Sequence, residues 1–242
     1  MSPHLLMMWL QQFSAEGLTL ALFLFCGILI LFMMRVFGAT GLMVYSSLAV
    51  VVANIQVQKA STFEFFHEPI ALGTVVFSSI FYVSSILTEY YGKVEAKKAV
   101  WLSFSSMLLI TLFMFFTLGF KPAVGYQESH NAMCVLFLPA PALLISSLIA
   151  YVIGQQNDIW LFSLLSKLTD RKALWLRTFV STLIAAFLDN MTFSVLAWMV
   201  FASYPLPWKT VFFTYILGTY IIRLFMALMG IPFLYIARFM VR

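Results

Sequence analysis

Four ionisable side chains stand where the surrounding sequence is oily: Glu89, Asp158, Asp189 and Arg223. A charge at the centre of a bilayer costs roughly 2.5–3.5 kcal/mol on insertion scales, so such residues face a bundle interior or a cavity and need partners. Asp189 falls in AAFLDNMTF, where Arg177, Ser181, Ala185, Asp189 and Phe193 recur every four residues and share one helical face. Ser147, Tyr151, Gln155 and Asp158 are spaced four, four and three and make a second polar stripe. Arg223 lies in GTYIIRLFM, and Asn54 and Gln56 add uncharged amides in VANIQV. Two readings of Asp189 and Arg223 stay open: an ion pair that only holds two helices together, or two walls of a ligand cavity. Glu89 and Asp158 are expected near cytoplasmic span ends, where a carboxylate either snorkels to water or serves the site.

Carboxylates and carboxamides together suit a flat heterocycle. A carboxylate accepts two bonds from an adjacent ring N–H and amino group, while Gln or Asn donates to a ring carbonyl and accepts from an N–H. Aromatic side chains stack on the ring faces, as they do where enzymes read an extruded base. A sugar or an amino acid fits the same inventory. There is no HExxH, no GxSxG and no GxxxxGK[ST], so neither a hydrolase site nor an ATPase is expected. No nucleophile–base pair points to an enzyme, and no cofactor is implied. His4, His67 and His130 lie far apart in loops, so no metal site is expected. Cys26 and Cys134 fall in apolar runs and read as packing residues rather than a disulfide.

The elements that must hold these groups are transmembrane helices. Of 242 residues, 63% are hydrophobic and 10% charged, against roughly 45–50% and 25% in a soluble domain. The apolar runs are continuous and long enough for a helix to cross about 30 Å of hydrocarbon, unlike the short alternating segments of a barrel. The fold expected is an all-α polytopic bundle of about seven spans: Gly17–Phe37, Thr40–Val57, Ile70–Tyr90, Ala99–Phe120, Ala132–Ile153, Leu174–Phe201 and Thr210–Ala237. The longer connections are Lys121 to Asn131 and Gln155 to Ala173. Glu64, His67 and Glu68 fall in the solvated connection between the second and third spans. On one side of these spans lie Arg35, Lys93, Lys97, Lys98, Lys167, Arg171, Lys172, Arg177, Arg238 and Arg242, ten in all, against Lys59, Lys121 and Lys209 on the other. The richer side is cytoplasmic by the positive-inside rule, which puts the N-terminus outside and the C-terminus inside. The net charge of +5 is this topology signal and not a nucleic-acid surface. The first sixteen residues hold no Lys or Arg, so no cleavable signal peptide is expected.

The segments ANIQVQK at 53–59, ILTEYYGKVEAKKAVW at 86–101, SSLIAYVIGQQNDIWLF at 146–162, LWLRTFVST at 174–182 and LDNMTF at 188–193 resemble the queuosine precursor transporters, also called the vitamin uptake transporter family. The resemblance runs from about Asn54 to Pro232. It implies uptake of a 7-deazaguanine base such as preQ0, preQ1 or queuine across the bacterial inner membrane, for salvage into a modified nucleoside of transfer RNA. It carries over to Asn54, Gln56, Glu89, Gln155, Asp158 and Asp189. With Tyr151 and Arg223 these make the expected substrate-binding set. Three features depart from the family pattern. Ser85 stands where an Asp often precedes the TE pair, Arg223 stands where a Lys is common, and the first span is an addition to a six-span core. The chain then divides into an additional N-terminal helix at 1–38 and a six-helix transport core at 39–242, one integral membrane domain.

The mechanism implied is secondary transport. Asp189 binds the donor edge of the ring, Gln155 and Asn54 read the remaining groups, and Glu89 and Asp158 act as cytoplasmic-side polar or gating groups. Arg223 is a fixed cation, since Arg does not readily give up its proton. Protonation of a carboxylate would couple the cycle to the proton gradient. The expected partners are a purine-like base and the lipid bilayer, with no nucleic acid. A symmetric homodimer would be the ordinary oligomer. The rival reading is a membrane-embedded substrate-binding subunit that needs a separate ATPase.

Overall fold

Inside hydrocarbon a backbone N–H or C=O finds no water, so a spanning chain satisfies these groups within helices. The computed structural model describes residues 3–64, 70–138, 141–202 and 204–240, and is helical almost throughout. The helices are α1 (Pro3–Leu10), α2 (Ala15–Gln56), α3 (Thr74–Ile86), α4 (Lys93–Gly119), α5 (Gln127–Phe137), α6 (Pro141–Leu168), α7 (Leu174–Val195), α8 (Trp208–Thr210) and α9 (Gly218–Arg238). A small antiparallel pair, β1 (Ala60–Ser61) and β2 (Ile70–Ala71), lies between α2 and α3, with Ala60 opposite Ala71. Three π-helical segments extend helices: Leu87–Tyr91 after α3, Leu196–Val200 after α7, and Val211–Leu217 joining α8 to α9. His67, Glu68 and Arg242, named above, lie outside the described residues.

Four stretches among the described residues are long and apolar enough to cross a membrane: Ala15–Gln56, Lys93–Gly119, Leu174–Val200 and Trp208–Arg238. The first is not one rod. Gly38 has φ +59° and ψ −139°, outside the helical region. A Cβ on Gly41 would lie 2.2 Å from the Met33 carbonyl oxygen. Eight residues apart along an unbroken helix would be about 12 Å. The chain therefore turns back at Gly38, and its two arms pack together, bringing the Cys26 thiol into hydrogen-bonding reach of Tyr45. Glycine is needed twice here, at Gly38 for the dihedral and at Gly41 for the close approach. The break falls where the sequence divides Gly17–Phe37 from Thr40–Val57.

α3 and α6 are absent from the four apolar stretches. Both spend helix positions on polar residues: Ser78, Ser79, Ser84 and Ser85 on α3, and Gln155 and Asp158 on α6. The protein buries all six. α3 sits at the centre, against α2, α9 and α6, and α6 packs along α7. The first arm of α2 belongs to the same core: Phe23, Cys26, Ile30 and Met34 are buried, and Phe23 meets Tyr82 and Phe233 edge-on.

One expected span is wrong in its placement. Ala132–Ile153 is divided between α5, which ends at Phe137, and α6, which starts at Pro141. Pro141 lacks an N–H and suits a first helical turn. The helix then continues through GQQND to Leu168, across most of the expected connection from Gln155 to Ala173. Asp158 is therefore inside a helix and fully buried, not at a span end. Low hydropathy there marks contact with α7, not exit from the bundle.

Gly41→Ala should lower the thermal midpoint in detergent by several degrees, because overpacking costs about 1–3 kcal/mol. Gly119→Ala meets open space and serves as the control. Equal melting of the two variants would remove the close turn from the account.

Candidate functional site

The site is organised by the α6–α7 contact. At Gly154 a Cβ would sit 2.7 Å from the Asp189 Cβ, so the absence of a side chain lets the two helices close on each other. Along α7 three levels of buried polar residues concern the site, Arg177 with Thr178, Ser181 with Thr182, and Asp189 with Asn190. At a rise of 1.5 Å per residue these span about 18 Å.

At the first level Arg177 donates to both oxygens of Glu89, at 2.8 and 3.0 Å. It also donates to the Ser166 hydroxyl at 2.7 Å and the Arg171 carbonyl at 3.2 Å, and lies 5.2 Å from the Phe162 ring centre. The fork of a guanidinium matches a carboxylate in this bidentate way. Arg177 is 1% exposed, so its place among the ten loop charges is a correction, and nine remain against three. Its position on the four-residue repeat was the signal for burial.

At the second level Asp158 accepts from Ser181 at 2.8 Å and, weakly, from Thr182 at 3.5 Å through Oδ1. Its Oδ2 is buried without a partner, as are both amide atoms of Gln155. Tyr151 stands one turn away from Gln155, buried, with its ring edge-on to Phe77 at 6.1 Å.

At the third level Arg223 donates to Asp189 in a short ion pair, and its guanidinium lies 5.1 Å from the Phe77 ring centre. Beside the pair, Asn190 donates to the Ile216 carbonyl at 2.7 Å and to the Thr219 hydroxyl at 2.8 Å, which binds α7 to the last helix. Here two adjoining cavities open, of about 90 and 250 Å³. Both are lined by Asn54, Thr74, Phe193 and Arg223. Asp189 and Phe77 face the smaller, and Asn190 and Trp198 the larger.

Of the expected set, Asn54, Asp189 and Arg223 thus line the cavities. Asn54 already donates to the Val50 carbonyl at 2.9 Å, leaving its amide oxygen for a ligand. Tyr151, Gln155 and Asp158 lie deeper along α6 and do not line either cavity, and Glu89 sits at the far end with Arg177. Gln56 lies beside the cavities with its amide oxygen buried and unpartnered. Phe77 and Asn190 are additions that the polar stripes do not reveal, whereas Arg177 stands on the α7 stripe but reads as a loop charge. Asn190 follows Asp189 in LDN but points one position off its face.

Membrane-length helices enclosing a cleft with a paired charge in its wall are the build of a membrane transport protein. Residues 71–237 match the family described as "Putative vitamin uptake transporter". The chain is also 35% identical over 217 residues to a Bacillus subtilis (strain 168) protein named "Probable queuosine precursor transporter", covering 88% of this chain and 90% of that one. No solved structure matches. The chain belongs to the vitamin uptake transporter family.

Arg177→Ala should destabilise the fold by about 3–5 kcal/mol, since it leaves Glu89 without its counter-charge. Arg177→Gln combined with Glu89→Gln should recover much of that loss. A double-mutant cycle on detergent melting measures it, and strict additivity would show that the pair is not coupled.

Proposed function

We propose that this protein takes up queuosine precursors, 7-deazapurine bases such as preQ0, preQ1 or queuine, across the bacterial inner membrane. The observation that carries the reading is the Asp189–Arg223 pair in the cavity wall of a chain related along most of its length to a queuosine precursor transporter. The two readings of that pair combine. It joins α7 to α9, and it is the point where a ligand enters. Asp189 takes the adjacent N–H and amino donors of the ring, Phe77 offers a stacking face, and Asn54 accepts a remaining donor. A ligand that bonds Asp189 competes with Arg223, so binding loosens the α7–α9 junction and shifts the helix arrangement. Ser85 and Arg223, which depart from the family pattern, bear on which base is preferred.

Seven crossings follow if both arms of α2 and α3, α4, α6, α7 and α9 each traverse the bilayer. The N-terminus is then outside and the C-terminus cytoplasmic. Lys93, Lys97, Lys98, Arg171 and Arg238 mark the cytoplasmic end, where Glu89 and Arg177 close the bundle. The cavities open near Val57 and Gln58, at the outer end.

The test is expression in a bacterial strain that cannot make queuosine, supplied separately with preQ0, preQ1 or queuine. Queuosine should appear in transfer RNA with at least one of them. Asp189→Asn should abolish rescue at normal membrane levels. No rescue by any of the three, from an inserted protein, would sink the substrate assignment. Rescue that requires an added ATPase would reassign the chain as a binding subunit.

A further inference from the structure

The second level of the polar column is unlike the other two. Glu89 has Arg177 and Asp189 has Arg223, whereas Asp158 is wholly buried and has no charged partner among the described residues. An unneutralised carboxylate in hydrocarbon is the costliest of the arrangements in this bundle. Around it the structure collects oxygens. Ser181 and Thr182 bond Oδ1 from α7. Ser84 of α3 lies in hydrogen-bonding reach of the same carboxylate. Asp158 Oδ2, Gln155 Oε1, Ser84 Oγ and Thr178 Oγ1 are all buried and accept or donate no hydrogen bond of ordinary length and angle among the described residues. Thr178 stands one turn before Ser181 and Thr182 on α7, and Gln155 one turn before Asp158 on α6. The chain leaves α3 for its π-helical segment just beyond Ser84, at Leu87. Such bulges recur at functional sites because they re-aim a helix face.

We propose that Asp158, Gln155, Ser84, Ser181 and the neighbouring Thr178 and Thr182 form a binding site for a sodium ion. The chemistry selects it in three ways. Carboxylate, carboxamide and hydroxyl oxygens are hard donors, which suit a hard cation and not a transition metal. One carboxylate among neutral oxygens carries a single negative charge, so a monovalent ion neutralises the site and a divalent one would leave a net charge in the membrane. A lone proton on Asp158 would serve one orphaned oxygen, whereas an ion serves several together. The one cation nearby on α7, Arg177, is already neutralised by Glu89 and does not compete. The site joins α3, α6 and α7 beneath the cavity, and Tyr151, one turn from Gln155 on α6, lies between it and Asp189. Occupancy would therefore draw together the helices that frame the ligand cleft and supply the coupling ion for the proposed uptake. Its role in coupling rests on the transport reading, but ion binding itself does not.

Binding of radiosodium to the purified full-length protein in nanodiscs, with no base present, tests the site directly. Saturable binding should appear, displaced by sodium or lithium chloride and not by choline chloride. Asp158→Asn should abolish it, and the double variant Ser181→Ala with Thr182→Ala should weaken it several-fold while remaining helical by circular dichroism. Asp189→Asn should keep it, so a failure of the base assignment leaves this result standing. No saturable binding by the folded protein overturns the proposal, as does unchanged affinity in the folded double variant. Uptake driven by a pH gradient and indifferent to sodium would overturn the coupling role, whatever the binding assay shows.

Discussion

A polar group hidden from lipid is costly unless another part of the chain meets it, and the α6–α7 seam is where Asp158 and Asp189 are held. Gly154 allows the seam to close, and the closure sets Asp158 against Ser181 and the Asp189 side chain against α6. The neighbouring helices then attach through charge. α3 is tied through Glu89, in the π-helical segment that extends it, to Arg177, and α9 through Arg223 to Asp189. Removing the seam would leave four charged side chains without the geometry that cancels them.

Buried ion pairs contribute little net stability when compared with apolar packing, because desolvation offsets their attraction. A bundle built only to persist would place leucine at these positions. That charge and amide are retained at three successive levels points to a passage rather than a scaffold. The paired levels flank a cluster whose carboxylate has no counter-charge among the described residues, and the cavities sit at the Asp189–Arg223 pair. This order of closed end, uncompensated centre and open end is the organisation expected of a carrier with its binding region deep in the membrane.

The readable part of the site followed from periodicity. Ser147, Tyr151, Gln155 and Asp158 do share one face of α6, and Arg177 through Phe193 do share one face of α7, because a helix repeats every 3.6 residues whatever surrounds it. What periodicity could not supply was depth. GQQND reads as an exit to water on hydropathy, yet α6 runs through it because α7 covers the polar stripe. The same limit applies to Arg177, which stands beside genuine loop charges in the sequence and is buried against Glu89 in the fold.

Composition, apolar run length and the family segments determine by themselves that this is a helical membrane protein of the vitamin uptake transporter family. They do so because lipid imposes the same requirement on every residue of a span. The hairpin at Gly38 was also visible, as a break between two apolar runs. Only the tertiary structure decided which charge meets which. The Glu89–Arg177 and Asp189–Arg223 pairs join residues 88 and 34 positions apart, and no local pattern encodes such a distance. It likewise decided that Asp158 goes without a charged partner among the described residues, since that depends on what α3 and α7 bring to it. Pairing and depth are properties of packed helices, whereas the sequence records only which face of each helix is polar.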